Sequence, residues 1–169
     1  LYWARRIAGW LQDTLVDPAS GIVWDGAHPY EGRSVDRTVW TYNQGTVVGA
    51  EVQLWQLTGD RAHLKRARRT AGATLNWYGE GGFPVEGTGD GSVFKGILAR
   101  YLGDLVKADP DGSQRVRVAL ASSGTAVAAA AGAPVGVDWQ HPTASEAGLG
   151  SEVSAALLLE ALAGLERPR

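Results

Sequence analysis

The 169-residue chain has no cysteine and no methionine. The first absence excludes a disulfide framework, a thiolate metal site and a cysteine nucleophile, and it leaves the redox compartment open. The second leaves a chain that opens on Leu1, as expected of a processed chain or a segment of a longer one. A surplus of charge is missing too. Sixteen basic and 18 acidic residues give a net charge of −2, whereas nucleic acid or an anionic membrane as main partner calls for a basic excess. No apolar run approaches the roughly 18–20 residues of a membrane span, and no basic stretch followed by an apolar one marks a signal peptide. His28, His63 and His141 lack the spacing of a metal-ligand motif, and there is no GxSxG elbow and no phosphate-binding loop. No metal and no cofactor is expected.

What is present is a hydrophobic share of 44%, enough for a globular core, in a length that suits one domain over residues 1–169. Glycine is abundant, 23 residues, about twice the usual ~7%. The glycines lie mostly between periodic segments, and much of the tryptophan and tyrosine lies in the same connections.

Six helical segments are expected and no long strand. Tyr2–Val16 places Trp3, Ile7, Trp10 and Leu11 on one side, and Asp17-Pro18 stops it, because the residue before proline avoids the helical region. Gln44–Leu57 is apolar on two faces. Arg61–Tyr78, with Asp60 as N-cap, has one apolar stripe and a basic back from Arg61 to Arg69, read as a solvated outer face that also carries His63 at the surface. Val93–Lys107 is strongly periodic and Gln114–Ala131 is alanine-rich. Ser151–Leu165 is apolar nearly all round and reads as buried. The second, fourth and sixth segments form an inner layer and the others an outer one. The fold class is therefore all-α, an array of helical hairpins.

The connections after the second and fourth helices are short. Those after the first, third and fifth are long: Asp17–Asn43, Gly79–Gly91 and Gly132–Gly150. In an up-down array these three fall at the same end, and long ordered loops in a compact domain usually carry function. They hold Trp24, Tyr30, Trp40, Tyr42, Phe83 and Trp139, together with Asp25, Glu31, Asp36, Glu86, Asp90, Asp138, Glu146, His28 and His141. Rings mixed with carboxylates and amides suit a carbohydrate, whose apolar face stacks on a ring while its hydroxyls take hydrogen bonds. The same rings could equally pin the loops to the scaffold.

Two motifs are sharper. Trp40-Thr41-Tyr42-Asn43-Gln44-Gly45 and Asp90-Gly91-Ser92-Val93-Phe94-Lys95-Gly96 each lead into an inner helix and place polar side chains at its N-terminus. Asn43 and Ser92, taken singly, read as caps. Lys95 opposes the helix dipole, which calls for an acidic partner such as Asp90, or for a ligand.

Tyr42-Asn43-Gln44-Gly45, the Leu57-Thr58-Gly59-Asp60 turn, Phe94-Lys95-Gly96, Gly21-Ile22-Val23-Trp24-Asp25-Gly26 and Asp90 resemble glycoside hydrolase family 76, the endo-α-1,6-mannanases. The resemblance implies an (α/α)6 toroid of twelve helices, of which these six would be the C-terminal half. It implies hydrolysis of α-1,6-linked mannan by two adjacent aspartates, and a secreted or cell-surface location. This sequence contains no Asp-Asp pair, so no catalytic residue carries over. By resemblance Tyr42, Asn43, Gln44, Asp90 and Lys95 line or support a wall of the substrate cleft, with Trp24, Asp25 and Glu86 as further candidates. The expected partner is a mannan-like polysaccharide or oligosaccharide. Apolar edges near Trp3, Trp10 and the last helix would favour self-association. The alternatives are a non-catalytic carbohydrate-binding or structural repeat and, further off, a sugar epimerase using His28 or His141 as base.

Overall fold

The computed structural model describes residues 1–30, 34–79, 83–130, 132–142 and 146–166. Glu31, one of the rim carboxylates expected above, lies outside them. Six helices are present: α1 (Tyr2–Thr14), α2 (Thr41–Thr58), α3 (Arg61–Tyr78), α4 (Phe94–Ala108), α5 (Gln114–Ala129) and α6 (Leu149–Glu166). A hairpin of two three-residue strands, β1 (Gly26–His28) and β2 (Ser34–Asp36), lies in the first long connection, with Ala27 opposite Val35. The strands are too short for an alternating pattern to show in sequence.

Packing runs from α2 to α4 to α6, with α3 against α2, α5 against α4 and α6, and α1 against α2. The inner and outer layers are those the periodicity implies. The main core joins Val48 and Val52 of α2, Leu64 and Ala71 of α3, Leu98, Leu102 and Leu105 of α4, Leu120 of α5 and Leu158 of α6. The inner helices approach closely through small residues. A Cβ on Gly45 would lie 2.7 Å from the Leu98 Cα, and one on Gly96 would lie 2.5 Å from the Ser154 Cα. Only glycine allows either approach.

The turn between α2 and α3 explains its own sequence. Gly59 takes the left-handed conformation that closes α2, and the Asp60 carboxylate accepts from the Ala62 N–H to cap α3. The other end of the first helix differs from expectation. It stops at Thr14, and Leu15 and Val16 turn inward to pack with Val23 and Val47. Burying two apolar side chains outweighs one more half-turn of helix.

Two corrections concern burial. His63 is buried, not superficial. Its Nδ1 lies 2.6 Å from Oε2 of Glu51, a carboxylate embedded in α2 that also accepts from Arg66 Nε at 2.8 Å and Gln12 Nε2 at 3.0 Å. A buried carboxylate needs such partners, so His63 and Arg66 turn toward it while Arg61, Lys65, Arg68 and Arg69 stay exposed. The sixth helix is covered on one side only: Ser151, Ser154, Ala155, Leu158 and Ala161 are buried, while Leu149, Val153 and Leu159 are exposed. At the opposite flank Trp3, Ile7 and Trp10 of α1 are 67%, 57% and 51% exposed. Both flanks thus carry exposed apolar rows. No helix of the described residues is long and apolar enough to cross a membrane.

Candidate functional site

The three long connections meet at the N-terminal ends of α2, α4 and α6. The first is fastened by Gln44, whose Oε1 accepts from the Val23 N–H at 2.9 Å and whose Nε2 donates to the Val23 carbonyl at 2.7 Å. This buried amide acts as a surrogate strand neighbour for Val23. Beside it the Asp25 carboxylate accepts from the Tyr42 hydroxyl and from Asn43 Nδ2, both at 2.9 Å. Asn43 therefore spends its amide on Asp25 and is not a cap. Burial first, and then the Asp25 carboxylate, push the Tyr42 hydroxyl above its ordinary range.

The second connection reaches α2 through Glu86. One of its oxygens accepts from the Thr41 N–H at 2.7 Å and the other from the Thr41 hydroxyl. A side chain 45 residues along the chain thus supplies the cap that α2 lacks locally, which is why the helix begins at Thr41 and not at Gln44. Burial raises the Glu86 carboxyl, opposed by the two Thr41 hydrogen bonds and the charge of Lys95. Ser92, the other expected cap, donates instead to the Gly89 carbonyl. Asp90 is exposed, and its carboxylate has no hydrogen-bond or ionic partner among the described residues.

Lys95 is 2% exposed. The expected partner Asp90 is not its partner. Its ammonium donates to the Val137 carbonyl and sits 4.7 Å from the Trp139 ring centroid. The third connection thus supplies what the sequence order suggested the second would. Burial pulls Lys95 down to about 8, against the opposing pull of Asp138 and Glu86. Burial also works to raise Asp138, but hydrogen bonds from Gln140 and His141 outweigh it and hold the carboxyl below its usual range.

The rim rings divide by environment. Phe83 and Trp139 are buried and meet edge to face at 5.4 Å, so these two pin their loops to the core. Trp40 and Tyr42 flank Phe94 at 5.7 and 4.6 Å and are partly exposed. Trp24, also partly exposed, lies under the Arg37 guanidinium at 4.8 Å. Tyr30, two residues past β1, is fully exposed. Between the second and third connections runs a polar cleft of about 240 Å³, lined by Thr88, Ser92, Val137, Glu146, Gly148 and Ser151. Of the candidate residues, Trp24, Asp25, Tyr42, Asn43, Gln44, Glu86 and Lys95 share this rim in bonded contact with it, and Asp90 stands at its outer side without a bond. The pairing of Thr41 with Glu86 escaped the motif reading, since the two lie 45 residues apart. Among the described residues no group of three or more acidic or histidine side chains is placed to hold a metal.

A helical array thus gathers aromatic rings, carboxylates and amides at one rim. The model of glycosyl hydrolase family 76 matches residues 1–168, and the chain belongs to that family. It is similar to the α-1,6-mannanase GH76A from Salegentibacter sp. HEL1_6, with 32% identity and a TM-score of 0.88 over 98% of this chain and 52% of that one. An inactive variant of that mannanase, with two adjacent aspartates replaced by asparagine, was solved in complex with α-1,6-mannotriose, and the chain superposes on it with a TM-score of 0.87. The curated relatives include the mannan endo-1,6-α-mannosidase DCW1 of Candida glabrata, 28% identical over 75% of this chain and 30% of the relative. The chain thus spans about half the length of these solved structures and less than half of the curated relative. Its fold is that of the family's (α/α)6 toroid, covered by about half.

Proposed function

We propose that the chain is the C-terminal half of an α-1,6-mannan hydrolase, forming one wall of its substrate cleft while the catalytic aspartates belong to other polypeptide. The observation that carries this is the family match along residues 1–168 in a sequence with no adjacent aspartate pair. The rim supports it. Hydrolysis of a glycosidic bond by the usual route needs one carboxyl as acid and another as nucleophile or base, set across the bond. Here Asp25 is held by Tyr42 and Asn43, and Glu86 by Thr41. These bonds suit carboxylates that fix a wall. The partly exposed rings of Trp24, Trp40 and Tyr42 offer faces for mannose, and Asp25 and Asp90 offer polar edges for its hydroxyls.

The test is incubation of the isolated chain with α-1,6-mannan. No reducing ends are expected, whereas α-1,6-mannotriose is expected to bind. Turnover by the chain alone would place the acids within it. Binding of mannotriose with no activity even when the rest of a family toroid is supplied would favour a non-catalytic carbohydrate-binding repeat. The exposed rows on α1 and α6 are proposed to drive self-association of the isolated chain.

A further inference from the structure

We propose that Lys95 is a positioning residue of the rim: it holds the 135–141 segment against the start of α4, and so sets the Val137 wall of the polar cleft without itself touching ligand. This deepens the carbohydrate reading and rests on it for the nature of the ligand. The position of the segment does not depend on that reading.

The ammonium grips the segment at two points, the Val137 carbonyl and the Trp139 ring. Trp139 is in turn locked against Phe83 of the second connection. Among the described residues no other donor reaches the Val137 carbonyl, and Val137 is buried. Losing Lys95 would leave that carbonyl unsatisfied, a penalty larger than the net worth of an ordinary hydrogen bond. Packing does not account for an ammonium here. A methionine would fill similar space without burying a charge in the first turn of a helix, where the dipole opposes it. The requirement is for a donor that can reach across from α4 to the third connection.

The charged and titratable groups facing Lys95 are Glu86 from the second connection and Asp138 from the third. His141 pairs with Asp138 at 3.2 Å, and the Tyr78 phenol, raised by burial and by Glu86, faces Glu86 from α3. The sign of the pH effect follows from burial. The closed segment holds Lys95 at about 8, and an opened, solvated segment returns it toward the ordinary 10.5. Between these values the open form binds more protons, so closure strengthens as pH rises. The neutral amine still donates to Val137.

Hydrogen exchange of the whole chain tests this. In Lys95→Met the amides of residues 135–141 should exchange about tenfold faster or more, while those of α2 and α4 stay unchanged. In the wild type, protection of 135–141, corrected for intrinsic exchange, should grow from about pH 7 to about pH 9.5 and stay flat in Lys95→Met. Lys95→Gln, which keeps a neutral donor, should restore part of the protection. Unchanged exchange at 135–141, or an equal rise across α2, α4 and α6, would overturn the proposal. In parallel, Lys95→Met should weaken α-1,6-mannotriose binding about tenfold, and undiminished binding would overturn the link from segment to ligand. A wild type that binds no mannotriose would sink the carbohydrate reading, while the exchange data still decide the role of Lys95.

Discussion

Glu86 illustrates how a side chain that reads as a ligand contact can be committed to the scaffold. Both of its oxygens serve Thr41, so Glu86→Ala should destabilise the chain by about 1–2 kcal/mol, as loss of a helix cap does, measured by urea denaturation. Glu86→Gln keeps an acceptor for the Thr41 N–H and should be far milder. The pH sign separates them further. Its carboxyl is raised in the folded state, so its contribution to stability is full below the unfolded value and is lost as pH rises through the folded one. Wild type should therefore lose stability relative to Glu86→Gln as pH climbs above about 4.5; a difference independent of pH would contradict the burial of this group. At this scale the sequence was legible in part. It marked Tyr42, Asn43, Gln44 and Lys95 as polar groups at inner-helix starts. It could not show that Lys95 answers to Val137 and not to Asp90, because proximity along the chain and proximity in the fold differ wherever a long loop returns. The burial of His63 is hidden from the sequence for a related reason. Its partner Glu51 sits among apolar residues of α2, and nothing in either helix alone couples them.

Among the elements, close contact between inner helices rests on glycines. Gly96→Ala would set a Cβ 2.5 Å from the Ser154 Cα and should cost about 1–3 kcal/mol by overpacking. Gly72→Ala lies in the middle of α3 with nothing within 4 Å of the added carbon, and should stabilise by about 0.5–1 kcal/mol through helix propensity. Chemical denaturation of the pair checks both signs; equal effects would contradict the packing described. α1, α3 and α4 are readable from a 3.6-residue apolar period, α2 and α6 from their length and apolar content, and the limits of α3, Arg61–Tyr78, coincide with expectation. The start of α2 was not readable, since its cap comes from Glu86. The hairpin was not readable either, since three-residue strands carry no pattern.

For the molecule as a whole, the alternation of apolar faces and of loop lengths was enough to place the three long connections at one end, and the contacts of Gln44, Glu86 and Lys95 tie them there. What periodicity could not supply was coverage. An apolar α6 reads as buried, yet half of it is bare, as is the outer row of α1. Sedimentation of the isolated chain should show concentration-dependent association, reduced in a Trp3→Glu, Ile7→Glu double variant; an ideal monomer with a stable fold would contradict the reading of these flanks as unpartnered surface.

The central claim is that the shared rim grips α-1,6-linked mannose. Its most direct test is a titration of α-1,6-mannotriose into the isotopically labelled chain, followed residue by residue by NMR. Saturable shifts confined to Trp24–Asp25, Trp40–Gln44, Asp90–Lys95 and the 135–141 segment are expected, with the α2–α3 turn at Gly59 unmoved. No saturable shifts, or shifts centred on that opposite turn, would contradict it.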